Sequence, residues 1–197
     1  MQRDAEATRL RLITAGRAEF AARGLTGARV DRIAEAAQAN KAQIYHYFKS
    51  KAGLFDAVWE DVLRETVEGL PLDVEDLPGA AALLCDAYVD HPELSRLITW
   101  RRLERLEHED PAAPAAPAPM AHDVQGRIAL IEQALRNGVI GGRFDADVLF
   151  ALILHVAAFW EFTSPDVMAS VSVTDREGRR EVVRSVTAAL LEGASEA

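Results

Sequence analysis

The 197-residue sequence contains a single cysteine, Cys85, which excludes an intrachain disulfide. Its N-terminus lacks the apolar stretch and the small-residue cleavage site that mark a secretory signal. Its longest apolar run, residues 148–160, is interrupted by His155 and is shorter than the about 18 residues that a membrane-spanning helix needs. These absences predict a cytoplasmic globular protein with no membrane partner, in which the apolar run forms a buried helix.

Catalytic and metal-binding patterns are missing as well. The sequence has no phosphate-cradling glycine loop, no nucleophile motif, and no His or Cys pair at metal-ligand spacing. The histidines at positions 91, 108, 122 and 155 are scattered along the chain. We therefore expect a protein that is not an enzyme and has neither a metal site nor a cofactor.

Positive charge is scarce except at one end of the chain. The net charge is −9, which argues against a nucleic-acid partner, because neutralising phosphates requires basic residues. Residues 1–58, however, hold ten Arg or Lys and six Asp or Glu, a net charge of +4, so the remainder carries −13. All three lysines, Lys41, Lys49 and Lys51, lie in this basic part. The asymmetry indicates a small anion-binding head on an acidic body.

Apolar residues recur at helical spacing, and no alternating β-branched run is long enough for a sheet. The fold is therefore predicted to be all-α, with about nine helices. Residues 69–79 form the first convincing break, and the proline-rich residues 110–119 are predicted to be a surface loop. Helices of the body are expected over residues 80–90, 92–107, 121–137, 145–162 and 175–192, the last begun by a capping box of Thr174 and Glu177.

Within the basic part, two short helices joined by a tight turn follow a longer supporting helix, which are the components of a helix-turn-helix. The first helix, residues 5–22, should end at Gly24, and the third should begin at Asn40 as its N-cap. The face of the first helix expected to be buried consists of Leu10, Ile13 and Phe20. Spacing alone leaves a plain scaffold equally possible.

The identities of the residues distinguish a DNA-binding helix-turn-helix from a plain scaffold. From Ile33 the chain reads Ile-Ala-Glu-Ala-Ala-Gln-Ala-Asn-Lys-Ala-Gln-Ile-Tyr-His-Tyr-Phe-Lys-Ser-Lys-Ala-Gly-Leu-Phe, which closely resembles the signature of the TetR family of transcriptional regulators. The resemblance covers about residues 8–60 and implies a helix-turn-helix DNA-binding domain over residues 1–50. It implies a ligand-binding and dimerisation domain over residues 51–197. The expected function is a repressor released from a palindromic operator when a small molecule binds.

The resemblance places the third helix, from Asn40 through Tyr47, in the major groove. Gln43 can pair bidentately with adenine, and Lys41 can donate to guanine or to phosphate. Ala42 allows a close backbone approach and can touch a thymine methyl group, while His46 offers a donor or a stacking face. The phosphate contacts, which fix register without reading sequence, are expected from Arg29, Tyr45, Tyr47 and Lys51.

Two positions depart from the family pattern, because glycine usually stands where Gln38 and Ala42 are found. A positive φ at Gln38 would cost of order 1 kcal/mol, so a slightly altered turn is expected. The alternative for Tyr45 and Tyr47 is that both are half-buried packing residues. For Lys49 and Arg32 a solvated face is expected rather than a role in binding.

A recognition helix contacts few base pairs, so useful specificity predicts a homodimer. The apolar run and the last helix are the expected interface, although the run could instead form the core of the body itself. The interface candidates are Leu149, Leu152, Ile153, Val156, Val182, Val186 and Leu190.

The effector is expected to be a small apolar or aromatic molecule, because hydrophobic residues dominate the body. Arg101 points toward an apolar face and needs an anionic partner, either a neighbouring Asp or Glu, which is favoured, or a ligand carboxylate. The rival function, a helical adaptor, would explain the acidic body but not the basic head. The candidate pocket residues are Cys85, Tyr88, Trp100, Arg101, His155 and Trp160.

Overall fold

The computed structural model describes residues 2–65, 70, 72–108 and 121–192, and all regular structure within these ranges is helical. Nine helices are longer than one turn and two are single turns, so the all-α prediction is confirmed. The proline-rich stretch predicted to be a loop, residues 110–119, lies outside the described residues. In chain order the helices are α1 (Gln2–Gly27), α2 (Val30–Ala36), α3 (Lys41–Phe48), α4 (Lys51–Leu63), α5 (Leu77–Asp90), α6 (Pro92–His108), α7 (Ala121–Arg136), α8 (Ala146–Ala157), α9 (Phe159–Phe162), α10 (Pro165–Met168) and α11 (Arg176–Leu191).

The helices form two compact units. The head unit contains α1 to α4 together with α6, and the body unit contains α5 together with α7 to α11. The predicted boundary after residue 50 separates a DNA-binding domain from a ligand-binding and dimerisation domain, and it stays a prediction.

The core of the head unit forms between α1 and α4. Leu12 and Phe20 on α1 are fully buried, and the ring of Phe20 meets the ring of Phe55 edge-on at 5.1 Å. The helix breaks at Gly24, whose φ of 67° and ψ of −179° form a conformation that essentially only glycine adopts, and not the left-handed helical C-cap that was expected there. Leu10, however, was wrongly predicted to be buried, since it is 46 % exposed. The buried face is centred on Leu12 and Phe20, which puts Leu10 at its edge.

The core of the body unit lies where α5, α7, α8 and α11 meet. Its fully buried members include Leu77, Ile131 and Leu149, and Val183 of α11 packs with them. The apolar run that suggested one helix over residues 145–162 is divided at Ala158 into α8 and α9.

Two helix starts differ from the sequence prediction. Helix α5 begins at Leu77 rather than at residue 80, because Asp76 accepts a hydrogen bond from the backbone N–H of Gly79 at 2.8 Å and Pro78 fits the first turn. Helix α11 is capped by Asp175, which accepts from Gly178 N at 2.9 Å, and not by Thr174. In both cases an aspartate is the cap.

Candidate DNA-binding site

The turn between α2 and α3 has the hydrogen bonds of a Schellman motif. The backbone N–H of Gln38 donates to Glu35 O at 3.0 Å, and that of Ala39 donates to Ala34 O at 2.9 Å. Gln38 occupies the left-handed position with φ 51°, so the predicted positive φ is confirmed. The expected alteration of the turn is not seen, because both hydrogen bonds of the motif form normally.

An arginine that sequence reasoning missed holds this turn to α1. The Nε of Arg11 donates to the carbonyl oxygen of Ala37 at 3.0 Å, and its Nη2 donates to Thr8 Oγ1 at 3.1 Å. A guanidinium at the C-terminus of a helix satisfies a carbonyl left without a helical partner and complements the helix dipole. Arg11 therefore fixes the end of α2, from which the recognition helix follows.

The start of α2 is held by a carboxylate of α1. Glu19 accepts hydrogen bonds from the guanidinium of Arg32 and from the backbone N–H of Arg29, the latter at 3.0 Å. The bonds from Arg32, with smaller contributions from Arg29 N–H and Arg23, lower the pKa of Glu19. Arg32 is therefore more than a solvated residue, since it pairs with Glu19 although its own side chain is 37 % exposed. The side chain of Arg29 is exposed at the N-cap of α2, where a phosphate contact was predicted.

Helix α3 begins with a capping box. Asn40, the predicted N-cap, accepts from the backbone N–H of Gln43 at 2.9 Å, and the side-chain oxygen of Gln43 accepts from Asn40 N at 3.0 Å. Ile44 and Phe48 are buried at the back of the helix. The amide oxygen that was expected to read adenine is thus engaged within the protein.

The outward face of α3 carries the other predicted reading residues. Ala42, Tyr45 and His46 are exposed, and Tyr45 at 45 % does not fit the alternative of a half-buried packing residue. Tyr47 is half-buried, with its ring 5.0 Å from that of His46. The ammonium of Lys41 lies 3.0 Å from a carboxylate oxygen of Asp31 on α2. This pairing, chiefly its hydrogen bond, raises the pKa of Lys41.

Lys51 and Lys49 follow the recognition helix. The Nζ of Lys51 donates to the carbonyl oxygens of Thr26 and Ala28, at 3.3 Å and 3.1 Å, and so binds the start of α4 to the last turn of α1 and to the residue that follows α1. Its predicted phosphate contact would have to use the remaining N–H. Lys49 is exposed, as predicted, and its Nζ donates to His46 O at 3.1 Å.

Glycine is required where α3 leads into α4. Ser50 caps α4 by accepting from Gly53 N at 2.9 Å. A Cβ atom on Gly53 would lie 2.1 Å from the carbonyl oxygen of Phe48, a separation that no side chain tolerates. The glycine in the Lys-Ala-Gly-Leu-Phe end of the signature therefore allows the two helices to approach.

The predicted ligand residues divide between the two units. Trp100 and Arg101 lie on α6 of the head unit, where the Arg101 guanidinium stacks at 4.8 Å on the ring of Trp59 and lies 3.8 Å from a carboxylate oxygen of Asp56. Arg101 therefore has an acidic partner within the protein, which was the alternative favoured over a ligand carboxylate. Trp100 is half-buried.

The other four ligand candidates belong to the body unit. Cys85 and Trp160 are buried in its core, and burial raises the pKa of Tyr88 to about 12. His155 is exposed, with its Nδ1 2.8 Å from Ala151 O. None of these residues lines either of two concavities that the described part of the body unit contains. One is an open groove of about 650 Å³ that includes Ile128, Leu135, Ile140 and Phe144, and the other is a space of about 30 Å³ lined by apolar residues and Arg127.

The interface candidates differ in how much surface they offer. Leu149 and Ile153 are 0 % and 4 % exposed within one chain, so they belong to its own core and present no surface to a partner. Val186 on α11 is 42 % exposed, and Val148 on α8, which was not among the candidates, is 44 % exposed. The candidates with part of their surface accessible are Leu152, Val156, Val182 and Leu190.

Two further searches of the described residues gave negative results. None of their helices is long and apolar enough to cross a membrane. Within the same residues, no group of three or more His, Cys, Asp or Glu side chains is placed to hold a metal ion.

Comparison with protein families assigns both parts of the chain. Residues 12–58 match the model described as bacterial regulatory proteins, tetR family, and residues 76–188 match the tetracyclin repressor-like C-terminal domain. The chain belongs to the TetR family. The helix-turn-helix that the sequence predicted is the DNA-binding element of this family, and α2, the turn and α3 form it here.

Individual TetR-family relatives extend the similarity over most of the chain. The HTH-type transcriptional repressor SCO4008 of Streptomyces coelicolor is 36 % identical over 170 residues, which are 84 % of this chain and 83 % of that protein. The HTH-type transcriptional repressor NicS of Pseudomonas putida is 32 % identical over 111 residues, 53 % of this chain and 52 % of NicS. The crystal structure of the transcriptional regulator SCO4942 of Streptomyces coelicolor superposes with a TM-score of 0.77 at 33 % identity, over 91 % of this chain and 96 % of that one.

Proposed function

We propose that this TetR-family protein is a cytoplasmic transcriptional repressor that binds a palindromic operator as a homodimer and leaves it when a small molecule binds the body unit. The observation that carries the proposal is the exposed front of α3, where Ala42, Tyr45 and His46 face solvent while Ile44 and Phe48 anchor the back. Such a helix can present base-reading groups without unpacking the head. The two named repressors among the relatives support repression rather than activation.

The proposed DNA contacts separate into two kinds. Base edges are assigned to Lys41, Ala42, Gln43 and His46, and phosphates to Arg29, Tyr45 and Tyr47. Lys51 would contact phosphate only through its third N–H, because the other two donate to carbonyl oxygens. Asn40 acts as the cap that orients these groups.

The proposed dimer uses α8 and α11. Val148 and Val186 are exposed valines on these two helices, and the half-buried Leu152 and Leu190 add apolar surface. Burying such residues against a second copy removes apolar area from water at about 25 cal/mol per Å². It also supplies the two heads that a palindromic operator requires.

The proposed effector is a small apolar or aromatic molecule. The open groove of about 650 Å³ between α7 and the start of α8 has the size of ordinary small-molecule sites, and its lining combines apolar residues such as Ile128 and Phe144 with the charged Glu132, Arg136, Asp145 and Asp147. The space of about 30 Å³ beside Arg127 would hold little more than a water molecule unless it opened.

Operator binding is tested by titrating the purified protein onto the DNA upstream of its own gene, at several salt concentrations. We expect tight binding that weakens steeply as salt rises, because each neutralised phosphate releases a counterion. A scrambled duplex of equal composition is the control and should bind more weakly. Absent or salt-insensitive binding would instead support the adaptor function.

The dimer is tested by Val186→Glu, which places a charge on the proposed interface. We expect a monomer with unchanged helicity in analytical ultracentrifugation. Val89→Glu is the matched control, since Val89 is an equally exposed valine, at 39 %, on α5. An unchanged mass for Val186→Glu, or dissociation by both variants, would contradict the proposed interface.

A further inference from the structure

An exposed ion pair joins the two helices of the helix-turn-helix. Asp31, in the first turn of α2, holds the ammonium of Lys41, the first residue of the recognition helix. The Nζ of Lys41 is 3.0 Å from one carboxylate oxygen of Asp31 and 3.1 Å from the other. From this geometry we propose that Asp31 limits the affinity for DNA by competing with the nucleic acid for the ammonium of Lys41. The inference rests on the proposed function, in which Lys41 contacts DNA.

The competition follows from the chemistry of the two groups. A lysine ammonium has three N–H donors and no acceptor, and carboxylate, phosphate and the guanine O6 and N7 atoms are alternative acceptors for it. While the carboxylate of Asp31 holds Lys41, a DNA acceptor must displace it or share the ammonium. Asp31 also places a negative charge beside the site where DNA phosphates would arrive. Both properties lower the affinity of the wild-type protein.

The pair is weak enough to tune binding rather than to prevent it. The side chains of Lys41 and Asp31 are 50 % and 72 % exposed, so water and salt screen their attraction. Exposed ion pairs contribute little, and their loss corresponds to roughly a two- to fivefold change in an equilibrium constant. We therefore expect Asp31→Asn to raise DNA affinity by about two- to fivefold per half-site.

Asp31 is not needed to keep the head folded. The turn that follows α2 is held by Arg11 and by the bonds of Gln38 and Ala39, and the start of α2 is held by Glu19. Removing one exposed carboxylate from the first helical turn changes stability only slightly, since dipole effects at exposed sites are small and are screened by salt. Asp31→Asn should therefore give a normal protein whose thermal midpoint confirms its integrity.

Glu35 provides a matched control on the same helix. It lies one turn after Asp31, is exposed, and carries the same charge. Glu35→Gln therefore removes a negative charge from α2 without touching the pair. A gain in affinity that arises merely from a more positive head should appear in both variants, whereas the release of Lys41 should appear in Asp31→Asn alone.

The experiment is a double-mutant cycle measured by fluorescence anisotropy. The proteins are wild type, Asp31→Asn, Lys41→Gln and the double variant, with Glu35→Gln alongside. The probes are the DNA upstream of the gene and a mixed-sequence duplex of the same length, each at several salt concentrations. We expect Asp31→Asn to bind more tightly than wild type, with a clearly smaller gain when Lys41 is already Gln, because only the repulsion between Asp31 and phosphate is then relieved. A gain on both probes would assign the released ammonium to phosphate, and a gain on the upstream DNA alone would assign it to a base.

Three outcomes would overturn the inference. An equal gain in the Lys41→Gln background would mean that Asp31 acts only by repelling phosphates. An equal gain from Glu35→Gln would mean that only net charge matters, and no gain at all would mean that the pair does not compete with DNA. If wild type binds neither probe at any salt concentration, the proposed function itself fails and the inference falls with it.

Discussion

The head and body units both depend on charged side chains, but they use them differently. In the head, the pairs surround the recognition helix: Glu19 with Arg32 at the start of α2, and Asp31 with Lys41 at the start of α3. In the body, Asp86 on α5 joins Arg176 and Arg180 on α11, which are 90 and 94 residues away along the chain. The head thus places two of its ion pairs at the starts of the short helices that carry the proposed DNA-binding surface, whereas the Asp86 network of the body joins two distant helices.

The aspartates of α5 allow the body network to be tested with an internal control. Asp86, whose side chain is 11 % exposed, accepts from Arg176 Nε at 2.9 Å and from Arg180 Nη1 at 3.0 Å. Asp90 is also paired with Arg176, but its side chain is 52 % exposed. The two aspartates bind different nitrogen atoms of Arg176: Nη1 and Nη2 donate to Asp90, whereas Nε donates to Asp86.

The largest effect is expected from Asp86→Ala. Because it removes two hydrogen bonds from guanidinium groups to a carboxylate that is only 11 % exposed, the free energy of unfolding should fall by about 3 kcal/mol, which is about 1.5 kcal/mol for each charge-assisted bond. Asp90→Ala should lower it by about 1 kcal/mol or less, as for exposed pairs. Urea unfolding measures both, and an unchanged m-value would show that the denatured state is unaffected. Equal losses would mean that burial does not distinguish the two aspartates.

A smaller effect is expected in the head from Glu19→Gln. The free energy of unfolding should fall by about 2 kcal/mol, because hydrogen bonds from a guanidinium to a carboxylate are charge-assisted. Glu6→Gln, on the same helix, is the control: Glu6 is 3.6 Å from Arg9 and its side chain is 61 % exposed, so its loss should scarcely be measurable. A loss as large for Glu6→Gln would contradict the role given to Glu19.

The same pair predicts a pH dependence. The folded state lowers the pKa of Glu19, so its stabilisation is fully present above the unfolded value of about 4.3 and is lost as the pH falls through the lower, folded pKa. The difference in stability between wild type and Glu19→Gln should therefore be constant near neutrality and shrink below about pH 4. A difference that grew on acidification would show that the sign is wrong.

Local patterns allowed the cap and the turn of the helix-turn-helix to be predicted from the sequence, because their hydrogen bonds join residues close in the chain. The cap at Asn40 and the left-handed Gln38 depend on neighbours within four residues. The contacts that were missed are not local: Arg11 reaches Ala37 across 26 residues, and Arg17 pairs with Glu65 and Glu93 across 48 and 76. No periodicity identifies such partners, since charge alone does not say which acid a given arginine meets.

In the body the apolar pattern predicted helices but not their surroundings. The run over residues 148–160 is apolar nearly all round, so its sequence could not tell core from interface. The structure assigns Leu149 and Ile153 to the core and leaves Val148 exposed. The predicted ligand residues do not form one pocket, for a similar reason. Aromatic or polar groups on apolar helices, such as Trp160, are also typical of ordinary cores, and only packing separates the two cases.

The smallest effect, confined to one or two positions per half-site, is expected for Gln43. Reading adenine uses its amide oxygen as acceptor and its amide nitrogen as donor, but the oxygen already accepts from Asn40 N at 3.0 Å. The contact should therefore be worth about 1 kcal/mol, the lower end for a bidentate pair. Gln43→Ala should relax specificity but also remove half of the capping box, which lowers the thermal midpoint.

Gln43→Glu separates these two roles. A glutamate keeps the acceptor that caps Asn40 N, so stability should be retained, but it has no amide donor for adenine N7 and should shift the preference toward cytosine, whose N4 amine it can accept from. Binding to a set of operators with single substitutions measures this shift. Lys51→Ala is the comparison: it should weaken every sequence about equally and lower the thermal midpoint, because its bonds to Thr26 O and Ala28 O are lost. If Gln43→Glu also weakened binding to every sequence equally, Gln43 would act only as a cap. Base reading would then depend on the other proposed residues of α3, such as Ala42 and His46.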